Sequence, residues 1–274
     1  MSTDNPPVLE AVMDIGGKTL RLSLVLVAFG TTAAAQWPNY PAPGIPRLPD
    51  GKPNLSASTP RSPDGKPDLD GIWLNEDGPL NELGVHTARG TFEIKPEDIV
   101  LTPEGEAWQR QHTENPRNGR CLPEDFSMRV RFNPFKVLTF KGLVVILYEL
   151  NTSYRQIFMD GRGLPKDPNP TWSGYSVGRW DGDTLVVDTA GFNDSETIVR
   201  GLGLLPHSDA LHIIERFRRR DFGHLDYEIT IDDPKMYAKR WTIKYNKLHL
   251  DPDNELLEFI CNENEKDLRH VGVK

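Results

Sequence analysis

The chain has 274 residues, of which 37% are hydrophobic and 26% charged, and its formal charge is -8. That size and composition suit a globular protein with one large domain or two small ones, and one is favoured. The acidic balance argues against a nucleic-acid partner, because phosphate backbones are held by clustered Lys and Arg; the only dense patch, Arg216, Arg218, Arg219 and Arg220, reads as the solvated face of a strand.

At the start, Lys18 and Arg21 precede the apolar run 22–29, which gives way to Thr31, Thr32 and the triplet Ala33-Ala34-Ala35. A basic region, an apolar run too short to span a bilayer and small residues before a cleavage point make an export signal. Residues 1–35 are therefore expected to be removed, with the mature protein beginning near Gln36 and working in the periplasm or outside the cell. No later segment is long enough to cross a membrane, so no integral membrane segment is expected after signal removal. Asp4, Glu10 and Asp14 are unusual ahead of such a run, and a start at Met13 would leave a signal of ordinary length. The competing reading, a helix over 18–30, lacks a polar face.

Residues 36–68 are dense in proline, and Pro49-Asp50-Gly51-Lys52-Pro53-Asn54-Leu55 recurs as Pro63-Asp64-Gly65-Lys66-Pro67-Asp68-Leu69. This duplicated linker is expected to run as extended polyproline II, loose or laid across the surface. A single domain is expected over 69–274. One helix is predicted over 96–113, where Thr102-Pro103-Glu104 supplies an N-cap, an N1 proline and an early acid. From Phe135 onward apolar and β-branched residues recur at period two, which predicts strands at 136–141, 143–149, 154–159, 174–180, 183–189, 210–219, 224–232, 240–249 and 255–261. Hairpin turns fall at Lys141-Gly142 and Asp181-Gly182, and Asp221-Phe222-Gly223 joins two long strands. The predicted fold is mainly β: an antiparallel up-and-down β-barrel with one short helix, closure being the surest way to hide sheet edges, with a β-sandwich as the alternative. Cys121 and Cys261 are the only cysteines; in an oxidising compartment the pair reads as a disulfide, two buried thiols being the alternative.

Gly71-Ile72-Trp73 resembles the Gly-x-Trp signature of lipocalin-like (calycin) barrels, which implies a tryptophan on the first strand plugging the closed end. A wider likeness is carried by Pro134-Phe135-Lys136, Tyr154-Arg155-Gln156-Ile157-Phe158, Asp160-Gly161-Arg162 and Pro165-Lys166-Asp167-Pro168-Asn169-Pro170-Thr171-Trp172. It continues through Gly174-Tyr175-Ser176-Val177-Gly178, Gly182-Asp183-Thr184-Leu185, Gly191-Phe192-Asn193-Asp194, Pro206-His207-Ser208, Glu215-Arg216-Phe217 and Cys261-Asn262-Glu263-Asn264. These phrases, spanning about 68–267, resemble a group of exported bacterial proteins with no settled biochemical role. The resemblance implies a family and almost no function.

Strand alternation puts Leu211, Ile213, Glu215 and Phe217 on one face. If that face lines the barrel, Glu215 is either paired with an arginine or held as a general acid or base, and Arg155, alternating with Ile157 and Met159, is the expected partner. His207, in the loop entering the same strand, is the second catalytic candidate; a turn and strand cap is its structural alternative. The long loops 160–174 and 190–209 contribute Trp172, Tyr175, Phe192 and Asn193, aromatics and an amide suited to a small organic ligand at a cavity mouth. No glycine-flanked nucleophile elbow surrounds Ser176 or Ser208. No metal is expected from the spacing of His207, His212 and His224, although His212 and His224 could meet across the 221–223 turn. No Gly-rich phosphate loop is present, so no cofactor is expected. The function expected is an exported binding protein for a small apolar or aromatic molecule. A cavity enzyme of acid/base type (isomerase, dehydratase or lyase) using His207 and Glu215, with Arg155 or Asn193 against the bound ligand to stabilise developing charge, or a structural module of the envelope, are the alternatives.

Overall fold

The computed structural model describes residues 10–15, 18–23, 42–75, 93–112, 122–123, 129–130, 133–193 and 204–260. The chain divides into two units, 1–39 and 40–274. In the first, β1 (Glu10–Ile15) and β2 (Lys18–Ser23) pair antiparallel, so Lys18 and Arg21 stand on a strand and the helix considered for 18–30 does not form over 18–23. The apolar run beyond residue 23 and the cleavage site lie outside the described residues, as do Cys121 and Cys261 and therefore their expected disulfide.

The second unit is a closed barrel of nine strands: β3 (Gly71–Asn75), β4 (Phe135–Phe140), β5 (Leu143–Tyr148), β6 (Ser153–Phe158), β7 (Tyr175–Asp181), β8 (Thr184–Ala190), β9 (His212–Arg219), β10 (His224–Asp232) and β11 (Trp241–Leu250). Neighbours follow chain order, and β11 closes the ring on β3 through Leu248↔Asn75 and Leu250↔Trp73. This closed ring, with its single short helix, fits a lipocalin-like barrel; a sandwich does not form.

Two departures from a simple meander have clear causes. β6 and β7 pair parallel, at Ile157↔Ser176 and Phe158↔Val177, so the barrel is mixed. The connection 159–174 doubles back so that the first residues of β7 lie beside the last residues of β6 and both strands run the same way, which a hairpin turn cannot do. The strand expected at 255–261 is not made among the described residues of that stretch, where Phe259 has only an isolated bridge to Leu150. Both edges of β11 are already taken, by β10 and β3, so no place for a further neighbour remains beside it.

The barrel ends differ. At the hairpin end lie the turns after β4, β7 and β9. At the helix end the chain enters β9 and leaves β10, and α1 (Pro103–Gln111) packs against the 233–238 turn. Thr102 caps α1, accepting from Gly105 N–H at 3.1 Å, while its own N–H donates to Met236 O at 3.0 Å. The helix starts at Pro103 rather than at 96 because a proline inside a helix clashes with the preceding turn; residues 96–98 form a separate 3-10 turn. Gly105 is required here, since a Cβ would lie 2.4 Å from Met236 O.

The proline-rich segment is not loose. Each copy of the repeat folds into the same tight turn, with Leu48 N–H on Lys52 O and Ser62 N–H on Lys66 O, and with the tip glycines Gly51 and Gly65 at φ 85° and 81°. In each, an arginine braces the turn and then grips the barrel unit. Arg47 donates to Gly51 O and to both oxygens of Asp253, and Arg61 donates to Gly65 O and to both oxygens of Asp183. Phe222 and Gly223 N–H reach Ala57 O and Leu55 O at 2.7 Å each. Proline fixes φ without forbidding turns, and Asp-Gly supplies the tip, so the duplication encodes two turns rather than an extended strap.

The core fills the barrel: Trp73, Phe135, Ile157, Leu185, Leu225, Ile229 and Tyr245 are all at most 1% exposed, each worth about 1.5–3 kcal/mol relative to exposure for side chains of this kind. Trp73 closes the hairpin end. Its indole N–H donates to Leu69 O at 3.0 Å, and the Arg219 guanidinium lies 5.0 Å above its ring. Arg219 itself is held by the main-chain carbonyls of Asp68 and Phe222. Burial pulls this arginine down to about 10, so it remains a cation at neutral pH.

Candidate functional site

Five interior strands send polar groups to one point. Arg155 (β6) donates from Nε to Ser176 Oγ (β7) at 2.9 Å, from Nη2 to Thr189 Oγ1 (β8) at 2.6 Å, and from Nη1 to Glu215 Oε1 (β9) at 2.8 Å; its Nη2 also donates to Glu215 Oε2. Tyr227 (β10) donates to Glu215 Oε1 at 2.5 Å, and Thr189 to Oε2 at 3.5 Å. Arg155 is 5% exposed and Glu215 0%. Burial alone would lower the Arg155 pKa, but the charge and hydrogen bonds of Glu215 outweigh it and hold the group above the usual arginine range. Burial, reinforced by the Glu215 charge, lifts Tyr227 far above an ordinary phenol. It therefore stays neutral and keeps donating.

Chemically this network is closed. Each Glu215 oxygen already accepts two hydrogen bonds, and a permanent cation faces the carboxylate. No lone pair is vacant for a substrate proton, which is what a general acid or base needs. The aromatic rings of Phe217 and Tyr245 stack on either side of Tyr227, with centroids at 4.3 and 5.7 Å, and shut the cluster off from water.

His207 stands elsewhere. It is 8% exposed at the helix end, its ring edge-on to Phe192 at 6.3 Å and its Nδ1 3.4 Å from Ser208 O. The partners of Glu215 and Arg155 do not include it. Beside it, Ser208 caps the entry to β9: its N–H and hydroxyl both bind the buried Asp233 carboxylate, at 2.6 and 2.8 Å.

The long loops do come together. Thr171 bridges to Phe192, with Asn193 N–H on Thr171 O at 3.0 Å, which places Trp172, Phe192 and Asn193 near the helix end of β7 and β8. Tyr175 is not among them. It precedes the inward-facing Ser176, so it points out, stacked on Phe158 at 5.1 Å and accepting from Arg162. His212 and His224 do not meet. They lie at opposite ends of the β9–β10 pair, His212 3.1 Å from Asp188 and His224 2.7 Å from Asp221.

One interior group that sequence reasoning passed over is Trp241, the first residue of β11. It shares the inward face with Ile243 and Tyr245, and its ring meets Tyr237 edge-on at 5.5 Å. Tyr237 in turn donates to Pro206 O at 2.7 Å. Trp241 is 2% exposed, yet its indole N–H has no hydrogen-bond partner among the described residues. Period-two alternation in 240–249 marks Trp241 as inward; nothing in the sequence marks its donor as unused. The same alternation would have added Tyr227 and Thr189 to the Glu215 cluster.

No protein-family model, no curated protein and no solved structure matches the chain.

Proposed function

We propose that this is an exported binding protein for a small apolar or aromatic molecule that carries a hydrogen-bond acceptor, held at the helix end of the barrel against Trp241. The observation behind this reading is the unpartnered indole N–H. A buried donor left unmade costs about 1–3 kcal/mol, and nearly all such groups in folded proteins are paired. A carbonyl or hydroxyl oxygen of a ligand would complete it. Tyr237 lies beside Trp241, and the chain of contacts runs on through Pro206 and His207 to Phe192, a run of buried aromatic and apolar groups whose chemistry suits a flat or branched apolar body. Export rests on the basic, apolar and small-residue pattern of 18–35 and on the likeness to exported bacterial proteins.

The test is native mass spectrometry of the protein purified from the periplasm of an exporting host, followed by denaturing extraction. The expected result is a stoichiometric organic molecule on the wild type that is lost from Trp241→Phe, which keeps an aromatic ring and removes the donor. Wild-type protein that is empty, or a ligand retained equally by the variant, overturns the reading.

A further inference from the structure

At the opposite end of the barrel, a cleft of about 460 Å³ lies between the second proline-rich turn and the tips of β8 and β9. Thr59 and Arg61 line it from the turn, Asp183 and Thr184 from the start of β8, and Arg218, Arg219 and Arg220 from the end of β9. Arg61 is committed to Asp183 by two hydrogen bonds. Asp226 is the acid that reaches Arg218 and Arg220, 3.7 Å from one Nε and 3.0 Å from the other. Arg219 is balanced separately, by the nearby charges of Asp68, Asp221 and Asp70.

The donors left over share this cleft. The Arg218 side chain makes no hydrogen bond among the described residues; its approach to Asp226 is too long for one. Arg220 uses Nη2 on Asn246 O and keeps Nη1. The hydroxyls of Thr59 and Thr184 make no hydrogen bond among the described residues. Arg219, between them in sequence, is fixed from behind by main-chain carbonyls and cannot swing away. Two forks with unused N–H groups and two hydroxyls around a concave surface form a receptor for a tetrahedral oxyanion, which accepts several charge-assisted bonds at once.

We propose that this cleft binds a phosphate-bearing ligand, either a free phosphorylated small molecule or the phosphate headgroup of a lipid. The site is separate from the one at Trp241 and stands or falls independently of it. The volume exceeds what one inorganic phosphate occupies, so room remains for the group that carries it.

The probes are inorganic pyrophosphate, followed by titration calorimetry at low salt, and vesicles of phosphatidylcholine with or without phosphatidylglycerol, followed by co-sedimentation. The variants are R218Q/R220Q in the cleft and R216Q on the same strand, whose side chain pairs with Asp181 instead. The expected result is saturable binding to one of the two probes that R218Q/R220Q weakens roughly tenfold or more and R216Q leaves within about twofold. Pyrophosphate binding identifies the free ligand, and vesicle binding the lipid headgroup. Thr184→Val, which keeps every charge, is expected to weaken the same binding, and it decides the matter should the double variant fail to fold. No binding to either probe, or equal loss in R216Q, overturns the proposal.

Discussion

Arg155 and Glu215, 60 residues apart in the chain, meet inside the barrel through paired N–H···O bonds, and every other polar group that touches them comes from a neighbouring strand. Such a pair loses hydration on both partners and regains it only through complete pairing, so its contribution depends on every member being present. Arg155→Met alone leaves a buried carboxylate without its cation and is expected to cost about 3–5 kcal/mol in urea unfolding. The combination of Arg155→Met, Glu215→Leu and Tyr227→Phe removes the charge, the carboxylate and the stranded hydroxyl together, and should recover most of that loss. A single variant within about 1 kcal/mol of wild type would show that the pair is not buried as described.

The proline-rich turns give a pH dependence whose sign follows from their partners. Asp183 is held below its ordinary 3.8 first by the hydrogen bonds of Arg61, and Asp253 likewise by Arg47. With the docked pKa depressed, the docked state binds fewer protons than the undocked one. Docking is therefore at full strength above about 3.8 and weakens as the pH falls through the lower docked values. Asp183 is exposed and Asp253 half-buried, so the effect is local and partly screened by salt. The amide resonances of Phe222 and Gly223, which donate to Ala57 O and Leu55 O, should hold steady down to that range and then shift. In R47Q/R61Q they should already be shifted at neutral pH. Resonances that move only with global unfolding would contradict this.

The β5–β6 turn carries a residue its geometry does not favour. Asn151 and Thr152, the last two residues of the four-residue connection 149–152, both have positive φ, 57° and 45°, a left-handed region that suits Asn or Gly and not a β-branched residue. A β-branched residue there costs about 1–2 kcal/mol. Thr152→Gly is expected to raise stability by about 1 kcal/mol, read as a higher urea midpoint with unchanged slope, despite losing the long hydroxyl contact to Phe259 O. A lower midpoint would mean that this contact matters more than the backbone.

How far the sequence reveals this molecule depends on the range of the interaction concerned. Period-two alternation places the strands from 135 to 250 within a residue or two and puts Glu215 and Arg155 on the inward face, because one-sided burial imprints directly on the residue pattern. The meeting of those two side chains needs strands that are far apart in sequence to share a barrel, and alternation supplies that once closure is assumed. The parallel β6–β7 pair is different. It depends on the path of 159–174, a polar and proline-rich stretch with no periodicity to read. The turns at 46–69 were hidden for the opposite reason: their proline content suggests extension, while the Asp-Gly tips and the bracing arginines act only through contacts. His207 and Tyr175 stand on either side of the limit at the site itself. His207 lies in the loop entering β9, and its packing on Phe192 is settled by tertiary contacts alone, whereas Tyr175 is the first residue of β7, where alternation with the inward Ser176 turns it outward.

A ligand at the helix end that completes Trp241 would be seen in the indole N–H region of a two-dimensional nitrogen–proton spectrum. Six tryptophans give six signals, and Trp241→Phe identifies one of them. On adding the molecule extracted from the native protein to ligand-free protein, the account predicts that the Trp241 signal moves downfield and saturates at one equivalent, while that of Trp73, already bonded to Leu69 O, stays in place. A Trp241 signal that does not move as the ligand saturates, with changes appearing elsewhere, would contradict it.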